Sequence, residues 1–104
     1  MLRAYMVFSG TGPILVVTRL STGMQGSQAR DYLAAKGIDK FIAFEVPVPR
    51  ARERYGPRFQ TAVDRLVTNE DIRVVDLDGH HVFGNFEFTE MGEPVFVSSY
   101  EDIN

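Results

Sequence analysis

The stretch FIAFEVPVPRARER, residues 41–54, changes character twice within a few turns of chain. Phe41, Ile42, Ala43, Phe44 and Val46 form a near-continuous apolar run broken only by Glu45. A run of that length and composition reads as a strand covered on both faces. Pro47 and Pro49 end its ladder, because proline donates no N–H and sits badly inside a sheet. Arg50, Arg52, Arg54 and Arg58 follow at once, opposed locally only by Glu53. The reading is a central strand that delivers concentrated positive charge to one end of its sheet.

Upstream, residues 3–8 and 14–20 are strand-like and are joined by Ser9-Gly10-Thr11-Gly12-Pro13. That connection is too short for a parallel crossover, so the pair is predicted to be an antiparallel hairpin. The two glycines do not mark a phosphate loop, since such a loop needs a helix after it and β-branched residues follow instead. The next connection, Ser21-Thr22-Gly23-Met24-Gln25-Gly26-Ser27, leads into a predicted helix over residues 28–36 with Ser27 as N-cap. Gly37 suits the left-handed position after that helix, with Ile38 supplying the apolar contact that closes a Schellman motif.

Downstream, Arg50 to Tyr55 reads as a helical turn that Gly56-Pro57 interrupts, and Pro57 is suited to the first position of a second helical piece. Phe59, Ala62, Val63, Leu66 and Val67 then recur with helical period. Residues 72–76 and 81–88 read as strands around Asp78-Gly79, a two-residue hairpin signal. A last strand is predicted over residues 95–100. The whole is a single α+β domain over residues 1–104, in the order β-β-α-β-α-β-β-β. The expected architecture is a two-layer sandwich, with a mixed or antiparallel sheet of about six strands and two helices on one face.

Charge is distributed unevenly. Residues 1–73 hold all eleven Lys and Arg against seven acids, a net of +4, whereas residues 74–104 hold seven acids and no Lys or Arg, a net of −7. That polarity favours self-complementary packing over nucleic-acid binding, and no apolar run has the length of a membrane span. The chain has no cysteine, which excludes disulfides and thiolate chemistry. With no signal-peptide pattern at its start, it reads as cytoplasmic.

Two constellations are chemically suggestive. A glycine-bearing loop between a strand and a helix N-terminus is an arrangement that holds anions. The candidate anion site is therefore Thr22, Gly23, Gly26 and Ser27, joined by Arg50 or Arg52 from the basic run. The alternative polar site is Asp76, His80 and His81, in which adjacent strand residues point to opposite faces, so the two histidines do not share a metal ion. The segment Val75-Asp76-Leu77-Asp78-Gly79-His80 is similar to the hairpin of glyoxalase and vicinal-oxygen-chelate proteins. It departs from them at Phe83, near where a metal-ligating glutamate is expected, and that family is not adopted. No metal set, cofactor fingerprint or catalytic triad is present in the sequence. The expected function is that of a small binding or accessory protein, homodimeric or of higher order, with another protein or a small anion as its partner. The competing expectation is a ferredoxin-like enzyme in which His80 or His81 carries a proton to or from an arginine-bound anionic substrate.

Overall fold

The computed structural model describes residues 1–10, 12–68, 70–78, 85–91 and 94–98. In chain order these form β1 (Arg3–Ser9), β2 (Gly12–Thr18), α1 (Ser27–Ala34), β3 (Ile42–Val46) and α2 (Val48–Tyr55). They continue with α3 (Pro57–Thr68), β4 (Ile72–Val75), β5 (Asn85–Phe88) and β6 (Pro94–Ser98). The α+β class holds. Every strand pairing among the described residues is antiparallel. No helix among them is long and apolar enough to cross a membrane.

The predicted sheet of about six strands is, among the described residues, a four-stranded sheet in the order β3-β1-β2-β4 and a separate β5–β6 pair. The expected pairing of β4 with the strand after Gly79 rests mainly on residues 79–84, which lie outside the described residues. The run at residues 41–46 is not the centre of its sheet. Among the described residues β3 pairs only with β1, and Ile42 is 37% exposed. The central positions go to β1 and β2, because Ala4 to Val7 and Leu15 to Val17 are apolar at every consecutive residue and all are buried.

Two apolar faces demand two coverings, and this overturns the expectation of two helices on one face. Successive strand residues point to opposite sides of a sheet. Ala4, Met6, Leu15, Val17 and Val75 therefore share one core with Val46, Ala51, Tyr55, Phe59, Ala62 and Leu66, under α2 and α3. Tyr5, Val7, Val16 and Ile72 share the other with Leu20, Met24, Ala29 and Leu33, under α1 and the loop before it. Phe59 is wholly buried, and removing such a ring from water contributes about 1.5–3 kcal/mol.

Among the described residues there are three helices instead of two. Pro47 is the N-cap of α2 and Pro49 lies in its first turn, where proline's fixed φ suits a helix and its missing N–H costs nothing. The same prolines that stop β3 thus start a helix, and the arginines ride on its surface instead of gathering at a strand end. Gly56, at φ 56°, separates α2 from α3. In α3 the predicted apolar period is buried at Phe59, Ala62 and Leu66, but Val67 is 66% exposed. The β5–β6 pair leans on the same core through Phe86, whose ring lies 4.7 Å from that of Phe8 and 5.4 Å from that of Phe44, both edge-on.

Candidate functional site

α1 has eight residues, and at 1.5 Å per residue it spans only about 12 Å of the sheet it covers. Its buried residues Ala29 and Leu33 pack in one cluster with Tyr5 and Val7 of β1, Val16 of β2 and Ile72 of β4. A cleft of about 980 Å³ is walled by the loop at Ser21, Thr22, Gln25 and Gly26 and by the connection Asp39-Lys40-Phe41. The sheet contributes Tyr5, Ala43 and Glu45 to its lining, and Arg3 and Arg30 border it as well.

Local chemistry explains the loop. The Gly23 N–H donates to the Leu20 carbonyl (3.0 Å) and the Gln25 N–H to the Thr22 carbonyl (3.1 Å). Gly23 has φ +58°, and a Cβ there would stand 2.2 Å from the Tyr5 hydroxyl. Only glycine allows the loop to lie this closely on the tyrosine. Gly26 is equally constrained by space: an added Cβ would stand 2.4 Å from Thr22 Oγ1. Gly26 is also the true N-cap of α1, one residue before the predicted Ser27, and no side chain caps that end. The far end of α1 is as predicted. Gly37, at φ 84°, donates its N–H to the Ala34 carbonyl, and the Ile38 N–H reaches the Leu33 carbonyl, both at 2.9 Å.

The electrostatics of the cleft begin with one cross-strand pair. Arg3 Nε and Nη2 each donate to the Glu45 carboxylate at 2.9 Å, a two-pronged geometry, while Nη1 reaches the Ser21 carbonyl at 3.3 Å. Arg3 thus ties β3 to the loop across the cleft mouth, with its guanidinium 5.4 Å from the Tyr5 ring centre. The hydrogen bond from Arg3 holds the Glu45 carboxyl below its ordinary range, and the same bond raises Arg3. Burial pushes the Tyr5 phenol up, so its hydroxyl keeps its proton at neutral pH. Arg30 and Lys40 also line the cleft, and neither is in an ion pair among the described residues. With Arg3 and Glu45 satisfying each other, the lining retains two cations against Asp39.

Of the sequence-derived anion site, the fold brings together Thr22, Gly23, Gly26 and Ser27 and leaves out Arg50 and Arg52. Those two arginines belong to α2, on the opposite side of the sheet. Arg52 donates to Gln60 Oε1 (2.7 Å) and lies 5.0 Å from the Phe59 ring centre. Of the alternative site, Asp76 accepts the Asp78 N–H at 3.1 Å, closing a turn at the end of β4. His80 and His81 lie outside the described residues.

The cationic side chains that do line the cleft, Arg3, Arg30 and Lys40, carry no local motif. Arg3 and Glu45 are 42 residues apart, and only the register Tyr5↔Glu45 between β1 and β3 brings them together. Arg30 could have been found from the helix start, since it lies one turn beyond Gly26. No protein-family model matches the chain, and no curated protein or solved structure matches it either.

Proposed function

We propose that the chain is a small binding protein that takes an anionic small molecule in the cleft between β3 and the loop before α1. One observation carries this reading: Arg30, Lys40 and the helix start at Gly26, whose first-turn N–H groups have no side-chain cap, all border one concave space. Backbone N–H groups and the helix dipole favour negative charge at such an end, and nearby cations add to that field. Tyr5, Phe41 and Ala43 offer a partly apolar bed for the remainder of the ligand, as small-molecule sites commonly do. Arg3, occupied by Glu45, acts as a fixed wall.

The test is a titration of phosphate, citrate and nucleotides into isotope-labelled protein, with amide shifts followed by NMR. Shifts should concentrate at Gly23, Gly26, Arg30 and Lys40, and Arg30→Gln should weaken them. Absence of shifts at those residues at millimolar ligand sinks the reading.

Self-association is a second part of the proposal, favoured by a separate observation. β6 exposes Val95 (46%) and Val97 (53%), and the edge strand β3 exposes Ile42. Apolar side chains left on a sheet commonly mark a partner surface, and a twofold dimer is the simplest closed solution. Sedimentation at low micromolar concentration, with and without about 0.5 M salt to shorten screening, should show a species heavier than one chain. A single 11.7 kDa species in both conditions refutes it.

A further inference from the structure

Tyr5 is 7% exposed, yet its hydroxyl has no hydrogen-bond partner among the described residues. The groups around it are engaged elsewhere. The N–H of Gly23, on the loop laid against this hydroxyl, is given to the Leu20 carbonyl. Arg3 Nη1 donates to the Ser21 carbonyl, and Arg3 Nε and Nη2 occupy the two oxygens of Glu45. Burial keeps the phenol protonated, so its oxygen can both donate and accept. Buried polar groups are as a rule hydrogen-bonded, and one left unmet asks for an explanation. Tyr5 lines the cleft beside β3, where a ligand can supply the missing bond.

The charges of the same lining are modest. Arg3 and Glu45 cancel, and Arg30 and Lys40 stand against Asp39, which leaves a net of +1. That balance suits a single negative charge better than the roughly doubled charge of a phosphate ester. The Asp39 carboxylate only accepts, so it repels a bare anion and favours a ligand that also carries O–H groups. Ser21, Thr22 and Gln25, exposed on the loop, each donate and accept, as hydroxyl groups themselves do. We infer that the ligand of this cleft is a hydroxy acid, a small monocarboxylate bearing several hydroxyl groups in the manner of a sugar acid. The carboxylate is held by Arg30, Lys40 and the start of α1, and one hydroxyl completes the bonding of Tyr5. This rests on the reading of the cleft as an anion site and adds the uncharged half of the ligand.

The experiment titrates sodium gluconate and sodium hexanoate into the isotope-labelled full chain at matched ionic strength, with amide shifts followed by NMR. The two probes are six-carbon monoanions, one with hydroxyl groups and one without. Gluconate should bind more tightly and should shift Thr22, Gly23 and Gln25 in addition to Gly26, Arg30 and Lys40. Tyr5→Phe removes only an oxygen that has no partner, so it should fold normally by circular dichroism. It should weaken gluconate about fivefold, the loss of one uncharged hydrogen bond, and leave hexanoate unchanged. Arg30→Gln should weaken both. The hydroxy-acid assignment is overturned if the two acids bind the unsubstituted chain equally, or if Tyr5→Phe weakens both alike or neither. In each of those cases shifts at Gly26 and Arg30 would leave the anion cleft standing. If neither acid, nor phosphate or citrate, shifts those residues, the reading of the cleft falls and this assignment falls with it.

Discussion

Gly23→Ala is expected to destabilise the fold by about 2–4 kcal/mol, from two separable causes. The first is conformational: at φ +58° a side chain meets its own backbone, which costs about 1 kcal/mol. The second is overlap. The new methyl group would stand 2.2 Å from the Tyr5 hydroxyl, 3.0 Å from Cζ of the same ring and 3.2 Å from Arg3 Nη1. Tyr5 is only 7% exposed and its ring is packed into the α1 core, so it cannot swing away freely. Forcing an extra carbon into such a site costs about 1–3 kcal/mol. Against a total stability of about 5–15 kcal/mol, the sum is large. Equilibrium unfolding in urea should show the midpoint fall by about 1–3 M with an unchanged slope, taking a slope of about 1.5 kcal/mol/M. Gly37→Ala isolates the first cause, since Gly37 has φ +84° but no atom within 4 Å of an added Cβ, and should cost about 1 kcal/mol. Tyr5→Phe in the Gly23→Ala background deletes the nearest atom and should recover part of the overlap cost. If Gly23→Ala costs no more than Gly37→Ala, or if Tyr5→Phe restores nothing, the close seating of the loop on Tyr5 is wrong.

Gly26→Ala should cost about 1–3 kcal/mol from overlap alone, because an added Cβ would stand 2.4 Å from Thr22 Oγ1 and 2.9 Å from Thr22 Cβ, and rotating the threonine side chain relieves only the first; urea unfolding checks it. Thr18→Val should cost about 1–3 kcal/mol, since buried Thr18 Oγ1 donates to the Asp71 carbonyl at 2.7 Å and accepts the Leu20 N–H at 2.9 Å. Faster hydrogen exchange at Leu20 would accompany that loss, and unchanged exchange would contradict it. The folded-state pKa of Glu45 is lowered, so its contribution is present above the ordinary carboxylate range and is lost as pH falls through the depressed value. Glu45→Gln should therefore flatten the acid limb of a stability–pH profile, and a superimposable limb would count against the Arg3 pair. For Tyr5 the sign reverses: its raised pKa makes stability fall as pH climbs through that value, a loss that Tyr5→Phe should remove from the alkaline limb.

Local signals carried most of the elements. The hairpin of β1 and β2, the Schellman end of α1 at Gly37 and Ile38, and the apolar stripe of α3 follow from residues close in sequence. What local reading could not rank was which strand lies inside. The run at residues 41–46 looks as apolar as Ala4 to Val7, yet among the described residues β3 is at the edge, and Glu45 was the clue, since its carboxylate needs solvent or a partner. Nor could it show that β1 needs helices on both sides, although consecutive buried residues imply that once the strand is central. The loop that walls the cleft was legible from its glycines and its place before α1. Its cationic neighbours were not, because Arg3 and Lys40 reach the cleft through register and a chain turn, whereas the conspicuous Arg50 and Arg52 went to the other side of the sheet.

An alternating strand tells its neighbours which side is out; β1 does not. With Ala4, Tyr5, Met6 and Val7 all buried, a sheet threaded one residue out of step would still hide much the same hydrocarbon, so the oil in the strand is nearly silent about alignment. The alignment is spelled by its few polar marks. Arg3 meets Glu45 only in the native frame, and the Tyr5 hydroxyl needs the gap that Gly23 leaves for it. An exposed ion pair contributes little to the depth of the native well. Its value lies in making the misthreaded wells shallower by comparison, so that weakening it should first increase mispaired and aggregated product on refolding, before any change in melting is seen.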